Sequence, residues 1–552
     1  MINPLLSVAA AGAGFVAASK ARERLRLSRA KHPGLAGHVR LAKRIAGQIP
    51  FYSYAPDRFY RADDAPVEVA ERRRAGFERL RATWNERFAG TIALTKETRE
   101  GLSDLQFTGR YRVPFQFSAH VRDALPTGVF LERSEGPLLY DLDGNRLIDL
   151  AGSYGVNLLG YDAYKEMIRE GAAAVEALGP VLGHYHPLVA DNFRRLRKLS
   201  GMDEVSFHMS GTEAVMQAVR LARYHTGRRR IVRFAGAYHG WWGDVQPGIG
   251  NPVPADGTLT LAEMSERTLD VLRRRRDVAC VLVNPLQAMH PNAAAPGDSQ
   301  LVDSSGRRAG FDREAYADWL RRLAAVCRAA GVVLIFDEVF VGFRLAPGGA
   351  SEYFGVKPDL VTYGKTLGGG LPVGVICGRA PLMKRWRDDR PVDICFARGT
   401  FNAHPYVMGA MDAFLRRLER PEVRALYGDL DARWEARLAL MNDRLAAADL
   451  PVRVAGMQSI WTVLYTRPSR YNWMLQYYLR LHGLALSWVG TGRLIFSFDF
   501  DDALFGEVVD RFVAAGRAME ADGWWWAADG ITDKALRRGV LRETLGVRLG
   551  RR

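Results

Sequence analysis

The stretch of residues 332–378 constrains the fold of this chain more than any other part of the sequence. An apolar run, residues 332–336, ends in Asp337, and a second short apolar run ends just before Lys365, which is followed by Gly368, Gly369 and Gly370. Continuous short apolar runs bounded by turn residues are typical of strands that are buried on both faces of a sheet. The sequence therefore predicts two neighbouring buried strands, one ending in a carboxylate and one ending in an amine.

That pair of side chains favours one kind of chemistry. An amine can attach to the aldehyde of pyridoxal phosphate, and a carboxylate can keep the ring nitrogen protonated so that the ring accepts electrons. A buried carboxylate without a partner would be costly, and the charged ring supplies that partner. Lys365 and Asp337 are therefore the predicted catalytic residues.

The same stretch resembles the class III aminotransferase family, within the fold-type I pyridoxal phosphate enzymes. It shares with that family, and with its glutamate-1-semialdehyde aminomutases in particular, the ordered segments FDEV, GFR, GGA, YFGV, PDL, GK and GGGLPVG. The similarity runs, with gaps, from about residue 128 to residue 521. The resemblance implies pyridoxal 5′-phosphate as the cofactor.

Patterning along the chain predicts an α/β fold. Residues 136–149 predict a β-hairpin with Asp143 and Gly144 in the turn, and strands alternate with helices from about 170 to 400. Together with the resemblance, this predicts a mostly parallel, seven-stranded sheet flanked by helices, plus a smaller α+β domain. The predicted divisions are a basic helical extension (1–125), the N-terminal part of the small domain (126–169), the cofactor-binding large domain (170–410), the C-terminal small domain (411–523) and a basic tail (524–552).

Ser210, Gly211 and Thr212 follow a short apolar strand and precede a strong helical pattern. Small residues let the backbone approach an anion, and amides at a helix N-terminus are good phosphate ligands. The resemblance assigns the cofactor phosphate to this segment.

The resemblance also assigns cofactor contacts to segments further along the chain. Tyr238 stacks on the cofactor ring with His239 beside it, and Val339 presses on the opposite ring face. Thr400, in the segment RGTF, contacts the cofactor phosphate of the neighbouring subunit. The implied assembly is a homodimer with shared active sites.

Three departures from the family pattern concern the substrate. Met209 stands where the family has Asn, and Asn284 stands where it has Glu. Arg112 and Arg122 are the only matches we find for the segment that binds the substrate carboxylate in the aminomutases. The resemblance therefore carries over the fold and the cofactor but not the substrate.

Composition narrows the class of protein. The chain has 552 residues, 48% hydrophobic and 25% charged, which is typical of a globular protein with more than one domain. None of its four cysteines forms a C-x-x-C pair, and no His/Cys group has metal-ligand spacing, so we expect no disulfide framework, no metal and a reducing cytoplasm. The net charge of +16 would attract an anionic surface, and because no nucleic-acid motif is present, a membrane surface is favoured over nucleic acid.

The ends of the chain leave alternatives open. Residues 1–19 carry no charged side chain and precede a run of basic residues, and the basic tail follows Trp524, Trp525 and Trp526. Each end predicts either a helix at a membrane surface or a helix packed on protein. Residues 66–88 predict an amphipathic helix with Phe77 and the nearby Leu80 and Trp84 on one face.

The predicted function is the transfer of an amino group from a donor amine to a ketone or aldehyde acceptor, with an apolar or lipid-linked substrate. The first alternative is an aminomutase of the glutamate-1-semialdehyde type. The second is a pyridoxal-phosphate-binding scaffold at a membrane surface. The predicted location is the cytoplasm, with a peripheral position on the inner face of the membrane held by the basic ends.

Overall fold

The computed structural model describes residues 4–106, 113–285, 312–486 and 493–550. Within these ranges, the helices that precede the first strand are α1 (Pro4–Ala30), α2 (Val39–Ala46), α3 (Pro56–Tyr60), α4 (Val67–Arg87), α5 (Ala89–Arg99) and α6 (Phe115–Ala124). No helix among the described residues is long and apolar enough to cross a membrane.

The extension packs on the C-terminal part of the same chain. Helix α4 confirms the helix predicted over residues 66–88, and Phe77, Leu80 and Trp84 of its predicted apolar face are all buried. The fully buried Arg73 of α4 donates two hydrogen bonds to the Asp63 carboxylate, at 2.8 and 2.7 Å. Its Nε donates to the Gly523 carbonyl at 2.9 Å, which ties α4 to the chain some 450 residues later.

A hairpin follows the extension, as predicted. Strands β1 (Leu131–Glu135), β2 (Leu138–Asp141) and β3 (Arg146–Asp149) pair antiparallel in sequence order. Gly144 in the β2–β3 turn has φ = 75°, and the Asp141 carboxylate accepts the backbone N–H groups of Asp143 and Asn145 at 3.0 and 2.9 Å. These bonds close the turn and fix the register of β3.

The central sheet confirms the predicted architecture. Its strands are β4 (Glu204–His208), β5 (Arg230–Phe234), β6 (Thr258–Leu261), β7 (Val278–Val283), β8 (Val333–Asp337), β9 (Leu360–Gly364) and β10 (Gly374–Gly378). Their order is β4-β10-β9-β8-β7-β5-β6, and only β10 runs against its neighbours in this sheet. Every residue of β7, β8, β9 and β10 is buried, which explains their continuous apolar sequences.

Helices cover the central sheet. They are α7 (Tyr161–Val175), α8 (Leu188–Ser200), α9 (Gly211–Thr226), α10 (Glu266–Arg274), α11 (Arg313–Ala330) and α12 (Ala350–Phe354). Beyond β10 come α13 (Ala380–Met383), the hairpin of β11 (Trp386–Arg387) and β12 (Arg390–Ile394), and α14 (Pro405–Leu418). The four cysteines are buried and unpaired, as predicted.

The C-terminal part adds helices and short strands. They are α15 (Pro421–Ala425), α16 (Leu430–Ala447), β13 (Val452–Met457), β14 (Ile460–Tyr465), α17 (Leu475–Leu481), β15 (Leu484–Ala485), β16 (Arg493–Ile495), α18 (Asp502–Ala521) and α19 (Asp533–Arg548). Strands β13, β14 and β16 form a small antiparallel sheet. Strand β15 pairs parallel with β3, so the C-terminal part completes the sheet of the N-terminal hairpin.

Two of the three adjacent tryptophans near the tail belong to the protein interior. Trp524 and Trp525 are fully buried, and their indole N–H groups donate to Tyr478 Oη at 2.8 Å and to Asn472 Oδ1 at 3.1 Å. Of the two alternatives for this end, burial therefore excludes a membrane-surface role for Trp524 and Trp525, because the core takes up their rings. In α19, Glu543 accepts from Tyr54 Oη at 2.6 Å, so the tail is attached to the extension.

Candidate active site

The predicted catalytic residues lie at one edge of the central sheet. Parallel strands end at the same edge, and ligands of such sheets bind beyond the carboxyl ends of the strands. The antiparallel β10 begins at this edge, where Gly374 pairs with both His208 and Gly364, the last residues of β4 and β9. Asp337, the last residue of β8, lies beside Thr362 of β9. Backbone register thus brings the residue types predicted at separate strand ends into one place.

Asp337 is a buried carboxylate with several partners. Only 3% of the residue is exposed, and its Oδ2 lies 2.7 Å from Nδ1 of the equally buried His239. Its Oδ1 accepts the Val339 N–H and the Thr362 hydroxyl, each at 3.2 Å. The other ring nitrogen of His239, Nε2, is buried and has no hydrogen-bond partner among the described residues. Three groups therefore fix the orientation of the Asp337 carboxylate.

Lys365 begins the short turn that follows β9 and has φ = 48°, a left-handed conformation that is rare outside glycine. Its Nζ donates to the Tyr154 carbonyl and lies 4.8 Å from the centre of the Phe340 ring. Burial, and next the positive charge of Arg493, lower the pKa of Lys365 to about 8, although Asp337 acts in the opposite sense. A substantial fraction of this amine is therefore neutral, the form that attacks an aldehyde, near pH 8.

The segment predicted to bind phosphate opens α9. Ser210 Oγ accepts the Glu213 N–H at 3.2 Å, and the Glu213 carboxylate accepts the Met209 N–H at 2.9 Å, which is a capping arrangement. Gly211 and Thr212 are the first two residues of the helix, where backbone N–H groups point out of the helix end. This end carries the positive side of the helix dipole and suits an anion.

Close packing joins this helix end to the other predicted residues. A Cβ added at Gly211 would lie 2.6 Å from Val339 Cγ1, so Val339 packs on the start of α9. A Cβ added at Gly240 would lie 2.5 Å from Thr212 Oγ1, and Gly240 has φ = 89°. The loop that carries Tyr238 and His239 therefore lies against Thr212. We call Ser210, Gly211, Thr212, Tyr238, His239, Asp337, Val339 and Lys365 the strand-end cluster.

Tyr238 is 64% exposed, and burial of part of its side chain together with the charge of Asp337 raises its pKa. Thr400 is exposed in the turn after β12 and, within the described ranges, makes none of the contacts that join the strand-end cluster. Arg112 lies outside the described residues, and Arg122 is exposed on α6, where it pairs with Asp123 at 3.8 Å.

The structure adds residues that sequence reasoning missed. Ser153 and Tyr154 have φ = 45° and φ = 58°, and the Tyr154 carbonyl is the acceptor for Lys365. Nearby, the buried Asp149 accepts the Ala151 N–H at 2.8 Å and the Tyr161 hydroxyl at 2.6 Å. Burial raises the pKa of Asp149 to about 6. Left-handed conformations of residues other than glycine have no sequence signature, so this turn could not have been found from the residue pattern.

Two arginines contact residues close to Lys365 and Tyr154. The guanidinium of Arg493 lies 5.7 Å from the centre of the Phe340 ring, the ring that Lys365 also contacts. The buried Arg344 donates to the carbonyls of Phe496 and Asn157 at 2.7 and 2.9 Å. Arg344 therefore ties the segment after Tyr154 to the C-terminal part of the chain. The GFR segment of the sequence could have identified Arg344, whereas no sequence motif marks Arg493.

A cavity of about 780 Å³ opens beside Tyr154. Its wall includes Leu131, Leu139 and Leu147 of the hairpin, and Ser153 and Tyr154 of the turn that contacts Lys365. We call this space the apolar cavity.

The chain matches the family model for class-III aminotransferases over residues 119–244 and 307–515. It belongs to the class III aminotransferase family. This class III chain is similar to the glutamate-1-semialdehyde 2,1-aminomutase of Desulfotalea psychrophila, with 33% identity over 377 residues that cover 64% of this chain and 80% of the relative. The aminomutase of Methanothermobacter thermautotrophicus is 34% identical over 375 residues, which cover 64% of this chain and 81% of that protein.

Solved structures agree with the family. A transaminase with pyridoxal phosphate bound has a TM-score of 0.63 and 26% identity, over 80% of this chain and 99% of the other. The β-phenylalanine aminotransferase of Variovorax paradoxus has a TM-score of 0.60 and 26% identity, over 81% and 98%. The predictions of the family, the fold-type I architecture and an enzyme of the transaminase or aminomutase type are confirmed. The cofactor of this class III enzyme is pyridoxal 5′-phosphate, as predicted.

Proposed function

We propose that this enzyme is an aminotransferase that moves an amino group from a donor amine to a ketone or aldehyde acceptor. The observation that carries the proposal is the placement of Lys365 and Asp337 at the ends of the adjacent strands β9 and β8, with the amine partly buried and its pKa lowered to about 8. Amino transfer needs both a nucleophilic amine and a fixed carboxylate next to the cofactor ring.

The strand-end cluster fits the cofactor. We propose that Asp337, oriented by His239, faces the ring nitrogen, and that Tyr238 and Val339 lie on the two ring faces. Ser210 and the amides that follow it at the start of α9 hold the phosphate. The buried carboxylate and the close packing of Val339 on Gly211 support this assignment. When bound there, the cofactor acts as an electron sink that stabilises negative charge on the substrate carbon.

The chain's own groups move the proton and position the substrate. Lys365 in its neutral form takes the proton from the carbon that bears the amino group and returns it on the other side of the transfer. The Tyr154 carbonyl orients its Nζ, because that carbonyl accepts a hydrogen bond from it. Arg493, which shares the Phe340 ring with Lys365, places a positive charge near the amine and favours its neutral form.

We also propose a homodimer with shared active sites, in which Thr400 of each subunit reaches the cofactor phosphate of the other. Support comes from exposed apolar side chains close to Thr400 in sequence, since Val392 is 93% exposed, Phe396 is 68% exposed and Phe401 is 50% exposed. Large apolar side chains left exposed in this way favour a protein–protein interface. The buried, unpaired cysteines support a location in a reducing cytoplasm.

An aminomutase of the glutamate-1-semialdehyde type is the second candidate. It is favoured by the 33–34% identity to proteins of that name. It is opposed by Met209 and Asn284, which replace an Asn and a Glu of the family pattern. An aminomutase turns over one substrate without a separate acceptor, whereas an aminotransferase needs both a donor and an acceptor.

The test follows the visible absorption of the purified holoenzyme while a panel of amines and amino acids is added, with product measured after a ketone or aldehyde is supplied. The proposal predicts that a donor changes the absorption of the bound cofactor and that an acceptor restores it. Turnover of glutamate-1-semialdehyde alone, at a rate that no acceptor changes, would establish the aminomutase instead. Absorption that no amine alters, with no turnover of the semialdehyde, would contradict both candidates.

A further inference from the structure

We propose that the apolar cavity holds the side chain of the amino substrate, so that the enzyme acts on amines and carbonyl compounds with a long apolar chain. The inference rests on the proposed amino transfer at Lys365 and adds the substrate class. Its support is the position of the cavity beside the turn that contacts Lys365, the cavity volume, and the leucine side chains on the cavity wall.

The cavity borders the turn that contacts the reactive amine. Tyr154 lines the cavity, and the Tyr154 carbonyl accepts a hydrogen bond from Lys365 Nζ. Ser153, on the same left-handed turn, also lines it. A molecule that reacts at Lys365 and extends past this turn therefore enters the cavity, with its reactive end at the amine and its remainder against the hairpin.

The size of the cavity excludes a good fit to a small acid. Its volume of about 780 Å³ lies in the range of roughly 300–1,000 Å³ that is typical of pockets for drug-sized ligands. A short amino acid would leave most of this space to water and gain little from the wall. A chain that fills the cavity gains binding free energy with each methylene that it removes from water.

Several polar groups on the wall already have protein partners. Lys165 pairs with Asp162 at 2.9 Å, and Arg133 pairs with Glu135 at 3.0 Å. Asp149 accepts the Tyr161 hydroxyl at 2.6 Å. Since these groups are bonded to each other, recruiting them to a polar ligand would cost the hydrogen bonds that they already make.

Much of the rest of the wall, within the part of the chain that the structure describes, is apolar. Leu131, Leu139 and Leu147 come from the hairpin, Leu105 comes from the extension, and Leu486 follows β15. These side chains offer no hydrogen bonds and form a wall that suits a hydrocarbon chain or an aromatic group. The extension thus takes part in the site, because Leu105 belongs to it.

The experiment compares straight-chain primary amines from butylamine to decylamine. Their apparent affinity for the holoenzyme is read from the change in cofactor absorption, and their affinity for the apoenzyme is read by isothermal titration calorimetry. Leu131, which is 45% exposed, is changed to Asp, and Leu440 of α16, which is 43% exposed and does not line the cavity, receives the same change as the control.

We expect affinity to rise about three- to fourfold per methylene in the natural protein and in Leu440→Asp. In Leu131→Asp we expect a smaller increase in affinity per methylene. Compared with the natural protein, the affinity for decylamine falls about tenfold and the affinity for butylamine is unchanged. Calorimetry of the longer amines shows a negative heat-capacity change.

The outcomes separate this inference from the proposed function. Amines that alter the cofactor absorption with no dependence on chain length leave the amino transfer intact and overturn the apolar cavity as the substrate site. A rise that Leu131→Asp does not flatten overturns it as well, because the chain then binds elsewhere. A calorimetric rise that Leu131→Asp flattens, without any change in absorption, supports the cavity and contradicts the proposed amino transfer.

Discussion

The strand-end cluster and the apolar cavity both adjoin the turn at Tyr154, whose carbonyl accepts a hydrogen bond from Lys365, yet they are built in different ways. The cluster uses residues at the ends of strands in one sheet, between Ser210 and Lys365. The cavity draws its wall from segments as distant in sequence as Leu105 and Leu486. A sheet edge places side chains through backbone register, whereas a cavity wall depends on how separate segments pack.

This difference teaches that the two regions control different properties. Groups in the strand-end cluster act on the reacting atoms, which all substrates share, so changing them lowers activity on every substrate by a similar factor. Groups in the cavity wall contact the part in which substrates differ, so changing them alters the ranking of substrates. Three changes in the strand-end cluster and one at Arg493, which acts on Lys365, test the first half of this comparison, from the largest expected effect to the smallest.

Lys365→Ala removes the amine of the strand-end cluster. We expect kcat to fall about 10⁴-fold or more for short and long amines alike, because both the nucleophile and the proton carrier are lost. The measurement is steady-state turnover with butylamine and decylamine as donors. Lys357→Ala, which changes an exposed lysine in the loop before β9, should leave kcat unchanged. A variant that keeps most of its activity would remove Lys365 from the centre of the mechanism.

Asp337→Asn keeps the shape of the side chain and removes its charge. We expect kcat to fall by about 10²–10³-fold, with the same factor for each donor, because the neutral amide no longer favours a protonated ring nitrogen. The ratio of kcat/KM between decylamine and butylamine is the measurement that matters for the comparison. A change in that ratio would show that the cluster also selects the substrate.

Gly211→Ala tests the close approach at the start of α9. The new Cβ would lie 2.6 Å from Val339 Cγ1, and relieving this overlap shifts either Val339 or the helix end. We expect the affinity for pyridoxal phosphate, measured by titration of the apoenzyme, to fall about tenfold. Gly506→Ala on α18 is the control, since a Cβ there meets nothing within 4 Å. Equal affinities for the two variants would argue against a cofactor contact at Gly211.

Arg493→Gln has the smallest expected effect. Below pH 8 Lys365 is mostly protonated and cannot attack an aldehyde, so the rate at which the apoenzyme captures the cofactor should rise with pH through about 8 and then level off. Removing the positive charge of Arg493 raises the pKa of Lys365 and moves this profile to higher pH, with capture about two- to threefold slower at pH 8. A profile that moves to lower pH would contradict the assigned sign.

Some residues of the strand-end cluster were predictable from local patterns, whereas Tyr238, His239 and Val339 were predicted from the family resemblance. Asp337 and Lys365 follow apolar runs of strand length, and Ser210 precedes a helix with the residues of an N-terminal cap. The roles assigned to these residues stay predictions. The sequence left two alternatives open for the tryptophans near the tail, because basic residues beside aromatic ones suit both a membrane surface and packing on protein, and the burial of Trp524 and Trp525 separates the two.

By itself, the sequence determined the α/β architecture, the family and the cofactor, because buried strands, helix caps and strand-end motifs each lie within a short segment of chain. The tertiary structure alone decided the left-handed turn at Ser153 and Tyr154, the approach of Arg493 to the ring beside Lys365, and the wall of the apolar cavity. These features join segments that are hundreds of residues apart. Their contacts depend on the packing of the extension and the C-terminal part around the sheet. The pattern of residues along the chain does not specify this packing.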